Sequence, residues 1–276
     1  MATVLQRRAA LDVPLDEGFR LKLVIDLLHR PVWLGGMAAV VAAAGFQALA
    51  LLNGALAVVQ PIFVLELPFA LLIAGVVLRR RVTRHGWVAV TCIAAGLGIA
   101  LAAAAPSNGI DRPTGTGWVL VMVCCVGTMA VLVHVALRRP EGRVRAACFA
   151  AAAAIGYALT AALLKDATHA WQTGGAAGFF LAWQTYAFAA VGVCALFLLQ
   201  NAVQSGPLVA SQPALTLGDA LVSLSLGVTL FGEGVRTGWW LIPEMAGAAL
   251  VLYGAVHLAR IPLTQALVAP PARTRG

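Results

Sequence analysis

GALAVVQPIFVLELPFALLIAGVVLRRRVTRHGW, residues 54–87, returns in altered form as GPLVASQPALTLGDALVSLSLGVTLFGEGVRTGW, residues 206–239. Each position of the first copy reaches its counterpart by adding 152, with no gap, and 12 of the 34 pairs are identical. The identities include Gln60/Gln212 with Pro61/Pro213, and Gly86/Gly238 with Trp87/Trp239. Chance matches between apolar stretches would fall on Leu and Val, not on Gln-Pro and Gly-Trp in a single register. The two stretches are an internal repeat.

Both copies belong in a bilayer. With 61% apolar residues, 11% charged residues and a mean hydropathy of +0.89, the chain could not face water as a globule. Backbone polar groups in lipid must be satisfied within the segment, so the expected fold is all-α, a polytopic transmembrane helix bundle. A crossing needs about 20 apolar residues. Runs of that kind lie at 33–54, 57–78, 86–105, 117–137, 146–164, 178–200, 207–231 and 238–258, which makes eight spans. Residues 1–10 are too short to cross; they read as the end of a truncated first helix or as a short peripheral N-terminus. Residues 12–30 suit a helix lying at the membrane surface, and 261–276, with Pro262, Pro270 and Pro271, read as a disordered tail. The expected organisation is 1–30 as remnant and interfacial segment, 31–110 as the first repeat, 111–260 as the second and 261–276 as the tail.

Loop charges orient the chain. If the eight spans alternate, 16 of the 19 Lys and Arg fall on one side, and Arg112, Lys165 and Arg236 fall on the other. Basic loops stay in the cytoplasm, so the tail is placed there. The net charge of +8 then needs no nucleic-acid partner; the lipid bilayer is the partner implied. Trp33 and Trp87 would mark the inner interface, and Trp118, Trp171, Trp239 and Trp240 the outer. Small-xxx-small patterns permit a homodimer as well as packing within the chain. The five cysteines have no metal-type spacing and read as small core residues.

The copies occupy the second and seventh spans, five positions apart, so they cross the membrane in opposite directions. Arg79-Arg80-Arg81 after the first copy becomes Phe231-Gly232-Glu233 after the second, as an outer loop requires. Inverted repeats are characteristic of secondary transporters, in which two near-equivalent packings of the halves give inward-open and outward-open states.

Polar side chains inside spans must face protein or water, so they locate a path. Gln212, Thr216, Asp219 and Ser223 share one helical face, as a water-filled wall or a helix seam. The first copy answers with Gln60 and Glu66, and Glu66 corresponds to the neighbour of Asp219. Two carboxylates at similar depth could bind a divalent cation or exchange protons; alternatively Glu66 satisfies the Val64 carbonyl that Pro68 leaves free. Gln47 and Asn53 in the preceding span, and Gln184 and Tyr186 in its second-half equivalent, are further candidates for the path or for interhelical bonds. Pro61 and Pro213 are candidate hinges or static kinks. Gly96, Gly98, Gly247 and Gly254 suit close packing of the spans after the repeats. No triad, phosphate loop or HExxH occurs, so neither an enzyme nor a cofactor is expected.

Gln212-Pro213, a long apolar helix, Leu230-Phe231-Gly232-Glu233 and then Gly238 and Gly247 resemble the EamA-like repeat of the drug/metabolite transporter superfamily. VLQRRAA near the N-terminus and PVWLGGMAAVVAAAGFQALALLNGALAVVQP after it are similar to the bacterial branch related to NIPA-type magnesium transporters. The resemblance implies about nine or ten helices in two inverted halves. It also implies alternating-access transport of a small solute across a bacterial inner membrane, with magnesium as the alternative cargo. Gly45-Phe46 and Arg79 to Arg81 stand where NIPA-type proteins carry acidic residues. A different class of function is a membrane subunit or truncated paralogue that binds another protein and transports nothing.

Overall fold

The computed structural model describes residues 31–77, 83–107, 109, 113 and 115–260. Residues 1–30 and 261–276, for which a remnant or peripheral N-terminus, a surface helix and a tail are expected, and Arg79 to Arg81 lie outside them. The chain divides into two compact units, residues 1–49 and 50–276.

The described residues form α1 (Pro31–Asn53), α2 (Leu56–Ile62), a 3-10 turn (Phe63–Leu65), α3 (Glu66–Val77), α4 (Arg84–Ala104), α5 (Gly115–Leu137), α6 (Arg143–Leu181), α7 (Trp183–Ser205), α8 (Leu208–Leu230), a second 3-10 turn (Gly238–Trp240) and α9 (Leu241–Ala259). No strand occurs among them beyond one antiparallel bridge between Ser107 and Gly234. Six of the described helices are long and apolar enough to cross a bilayer. The protein is therefore an all-α, multi-pass membrane helix bundle.

The repeat reaches into the helix limits. Pro31–Asn53 and Trp183–Ser205 begin and end 152 residues apart, and so do the first residues of α2 and α8, Leu56 and Leu208. The copies differ in one respect. The helix holding Pro61 tightens into the Phe63–Leu65 3-10 turn before resuming α geometry at Glu66, whereas α8 passes through Pro213 as an α-helix. A proline removes one N–H from the helical ladder. The first copy carries a second proline at Pro68, where the other has Ala220, so two prolines weaken the same turns and the helix yields between them.

The helices that follow the copies, α4 and α9, pack along their length. A Cβ built on Gly96 would lie 2.6 Å from the Gly247 carbonyl oxygen, and one on Gly247 would lie 2.6 Å from that of Gly96. Gly254 meets Ile93 and Ala89, while Gly247 also meets Ala100. Residue numbers thus fall along one helix as they rise along the other, so the pair is antiparallel. Backbones this close need glycine on both sides. Gly98 has open space around it and takes no part.

Helix α6 differs most from expectation. The run at 146–164 was expected to end at Lys165, but the helix continues past it to Leu181, with a kink at Gly175 (φ 59°, ψ −151°). Gly178 then folds back to where a Cβ would lie 2.5 Å from the Ala170 carbonyl oxygen. The polar side chains at Lys165 and Asp166 do not end the helix because both are satisfied within the bundle, Lys165 by Glu233 and Asp166 by hydrogen bonds from Trp118 and Gln184.

Candidate functional site

Lys165 and Asp166 are adjacent on α6 and serve two separate polar centres. Lys165 Nζ lies 2.6 Å from Glu233 Oε1 and 4.6 Å above the Phe231 ring. Glu233, fully buried, also accepts from the amides of Leu56 (2.6 Å) and Ala57 (2.8 Å). These are the first two residues of α2, whose N-cap Ala55 has no side-chain acceptor. The carboxylate therefore caps a helix 177 residues away and meets its positive end, with the Lys165 side chain on its other side. Gly227 leaves room for it, since a Cβ there would overlap the carboxylate. Backbone bonds from Glu233 to Gly227, Ser107 to Gly234 and Arg236 to Ala104 hold the segment in place. The start of α2 thus lies beside the end of α8.

The second centre lies on α5, α6 and α7. Asp166, 7% exposed, accepts on Oδ2 from Trp118 Nε1 and Gln184 Nε2, both at 2.8 Å. Trp118 is buried, 4% exposed, and meets Trp183 edge to face at 5.6 Å. Trp118 is therefore not an interfacial anchor: its N–H has a buried carboxylate to satisfy. Trp87, Trp171, Trp239 and Trp240 are exposed. A cavity of about 820 Å³ opens beside Asp166, lined also by Trp118, Met122, Trp183 and Gln184.

The expected path residues are distributed as follows. On α8, Gln212, Thr216 and Asp219 are half-buried and Ser223 is fully buried. Ser223 Oγ lies 3.5 Å from Asp219 Oδ1. The stripe therefore runs from an accessible face into a helix seam. Gln60 is buried and Glu66 exposed. Tyr157 of α6 lies in the neighbourhood of both Glu66 and Asp219, a phenol that the sequence did not single out. Gln184 belongs instead to the Asp166 centre. Tyr186 is 64% exposed and donates to the Phe180 carbonyl at 3.0 Å; with Thr185, which donates to Phe179, it secures the fold-back before α7. Gln47, in the first unit, is half-buried, and Asn53 is exposed. Cys125 is buried, Cys92 and Cys148 are half-buried, and Cys124 and Cys194 are exposed, so only part of the cysteine set is core. Among the described residues no three His, Cys, Asp or Glu side chains gather as a metal-holding group.

Lys165, Asp166 and Glu233 escaped the sequence reading because charges at the end of an apolar run look like a loop. One signal was available. After Lys165-Asp166 the sequence ATHAWQT holds no Gly or Pro until Gly174-Gly175, so nothing stops the helix before that pair.

These features define a multi-pass membrane protein with charged side chains paired inside its helix bundle. The chain is 30% identical over 257 residues to "Uncharacterized protein Cgl0250/cg0304" of Corynebacterium glutamicum, covering 91% of this chain and 86% of that one. It belongs to the same family as that protein. No protein-family model matches the chain, and no solved structure matches it.

Proposed function

We propose that the protein is a secondary transporter that moves a small solute by alternating access between two inverted halves. The observation that carries this reading is the antiparallel, reciprocal meeting of α4 and α9 at Gly96 and Gly247, helices that each follow one copy of the repeat. Halves related in this way have two near-equivalent packings, which supply the two access states. The start of α2 beside the end of α8 fits the same relation. The path runs along the α8 face that carries Gln212, Thr216 and Asp219, near Glu66 and Tyr157 and next to the α2–α3 helix with its 3-10 turn.

The resemblance to the drug/metabolite superfamily supports this assignment. Eight crossings rest on the apolar runs of the sequence, a bacterial inner membrane on the family resemblance, and a cytoplasmic C-terminus on the distribution of loop charges. A divalent cation is the second reading, favoured by the paired carboxylates Glu66 and Asp219 as hard oxygen ligands. The test is thermal stabilisation of the purified protein by magnesium and by panels of small metabolites, with Asp219→Asn as control. Stabilisation by an organic solute, lost in the variant, is the expected result. Stabilisation by magnesium alone, lost in the variant, replaces it with the second reading, and no stabilisation by any solute contradicts both.

A further inference from the structure

Asp166 is a buried carboxylate with no ion-pair partner among the described residues. Both of its hydrogen bonds come from neutral donors, Trp118 and Gln184, and both end on Oδ2. Oδ1 has no partner among the described residues. The neighbouring cation, Lys165, is committed to Glu233. An uncompensated charge inside a bundle is costly, and sites of this kind are occupied by function more often than by packing.

The space next to it is of ligand size. The cavity holds about 820 Å³, and among the described residues Asp166 is the one charged side chain on its wall. The rest of the wall is largely apolar or aromatic, with Trp118, Val119, Met122, Val123 and Trp183 prominent. The cavity exists because α6 kinks at Gly175 and folds back at Gly178 before α7, which leaves a gap against α5. A hydrated inorganic cation would find few oxygen ligands here. A cation with an apolar body would find an acid for its charge, indole rings for its cationic methyl or methylene groups and aliphatic contacts for the remainder.

We propose that this cavity is a binding site for an amphiphilic organic monocation, an ammonium compound with an apolar or aromatic group, held by Asp166 and by Trp118 and Trp183. The site lies on α5, α6 and α7, apart from the Asp219 face, and its occupation does not depend on the transport reading.

The test is saturation binding of radiolabelled benzyltrimethylammonium to the full-length protein in detergent, compared with Asp166→Asn and Trp183→Leu. Asparagine keeps an oxygen for Trp118 and Gln184 but removes the charge. Wild type should bind saturably, Asp166→Asn at least about tenfold more weakly and Trp183→Leu several-fold more weakly. Trp183 is half exposed at the rim, so that variant carries the test if Asp166→Asn fails to fold. Unchanged affinity in either folded variant, or no saturable binding by wild type, overturns the proposal. Neither result bears on transport along α8, which is measured separately.

Discussion

Gly96 and Gly247 approach each other reciprocally, each placed so that a Cβ would sit 2.6 Å from the other's carbonyl oxygen. Gly96→Ala must therefore push α4 and α9 apart or shift their backbones, at a cost of about 1–3 kcal/mol. Gly98→Ala, two residues away in open space, should be neutral or stabilising by up to about 1 kcal/mol, because alanine is the better helix former. Thermal unfolding of both variants in detergent checks the contrast. Equal effects at the two positions would mean that the seam is not this tight.

The Lys165–Glu233 pair makes a second prediction about stability. Lys165→Met leaves the Glu233 carboxylate buried with only two amides to offset it, and Glu233→Gln places an amide NH₂ where one of the α2 amides needs an acceptor. Each single change should cost about 3–5 kcal/mol, as breaking a buried pair does. The double variant Lys165→Met/Glu233→Gln should be less damaging than the two singles added together, which a double-mutant cycle by thermal unfolding measures. Additive losses would show that the pair does not couple.

How much of this could be read beforehand depends on the range of the interaction. The repeat was legible because identical residues recur at a fixed offset, and the Gly96–Gly247 seam because small residues cluster in the spans that follow. The 3-10 turn after Pro61 was half legible: the sequence shows Pro68 in one copy and Ala220 in the other, but which turn tightens depends on the packing. Lys165 reads from the sequence only as an outer-side charge, and Asp166 is not singled out. Their partners are 68, 48 and 18 residues distant, and no local window shows that a charge has a partner. Tyr157 was overlooked for a similar reason: its relation to Glu66 and Asp219 exists only once three helices are assembled.

Asp219→Asn preserves shape and the Ser223 contact but removes the charge. In proteoliposomes supplied with a solute that stabilises the wild type, transport should fall by at least about tenfold, with membrane insertion and unfolding temperature little changed. Glu66→Gln should act in the same direction, since both residues neighbour Tyr157. Wild-type rates in Asp219→Asn would remove this face from the path.

The central claim is that the α8 face opens alternately to the two sides of the membrane, and Thr216 is the place to measure it. In a background with the five native cysteines replaced, Thr216→Cys is treated with a membrane-impermeant thiol reagent in right-side-out and in inverted vesicles. Alternating access predicts modification from both sides, with the stabilising solute slowing each reaction. Modification from one side only, or from neither, would contradict it and leave α8 as an ordinary packed helix of a membrane protein that transports nothing.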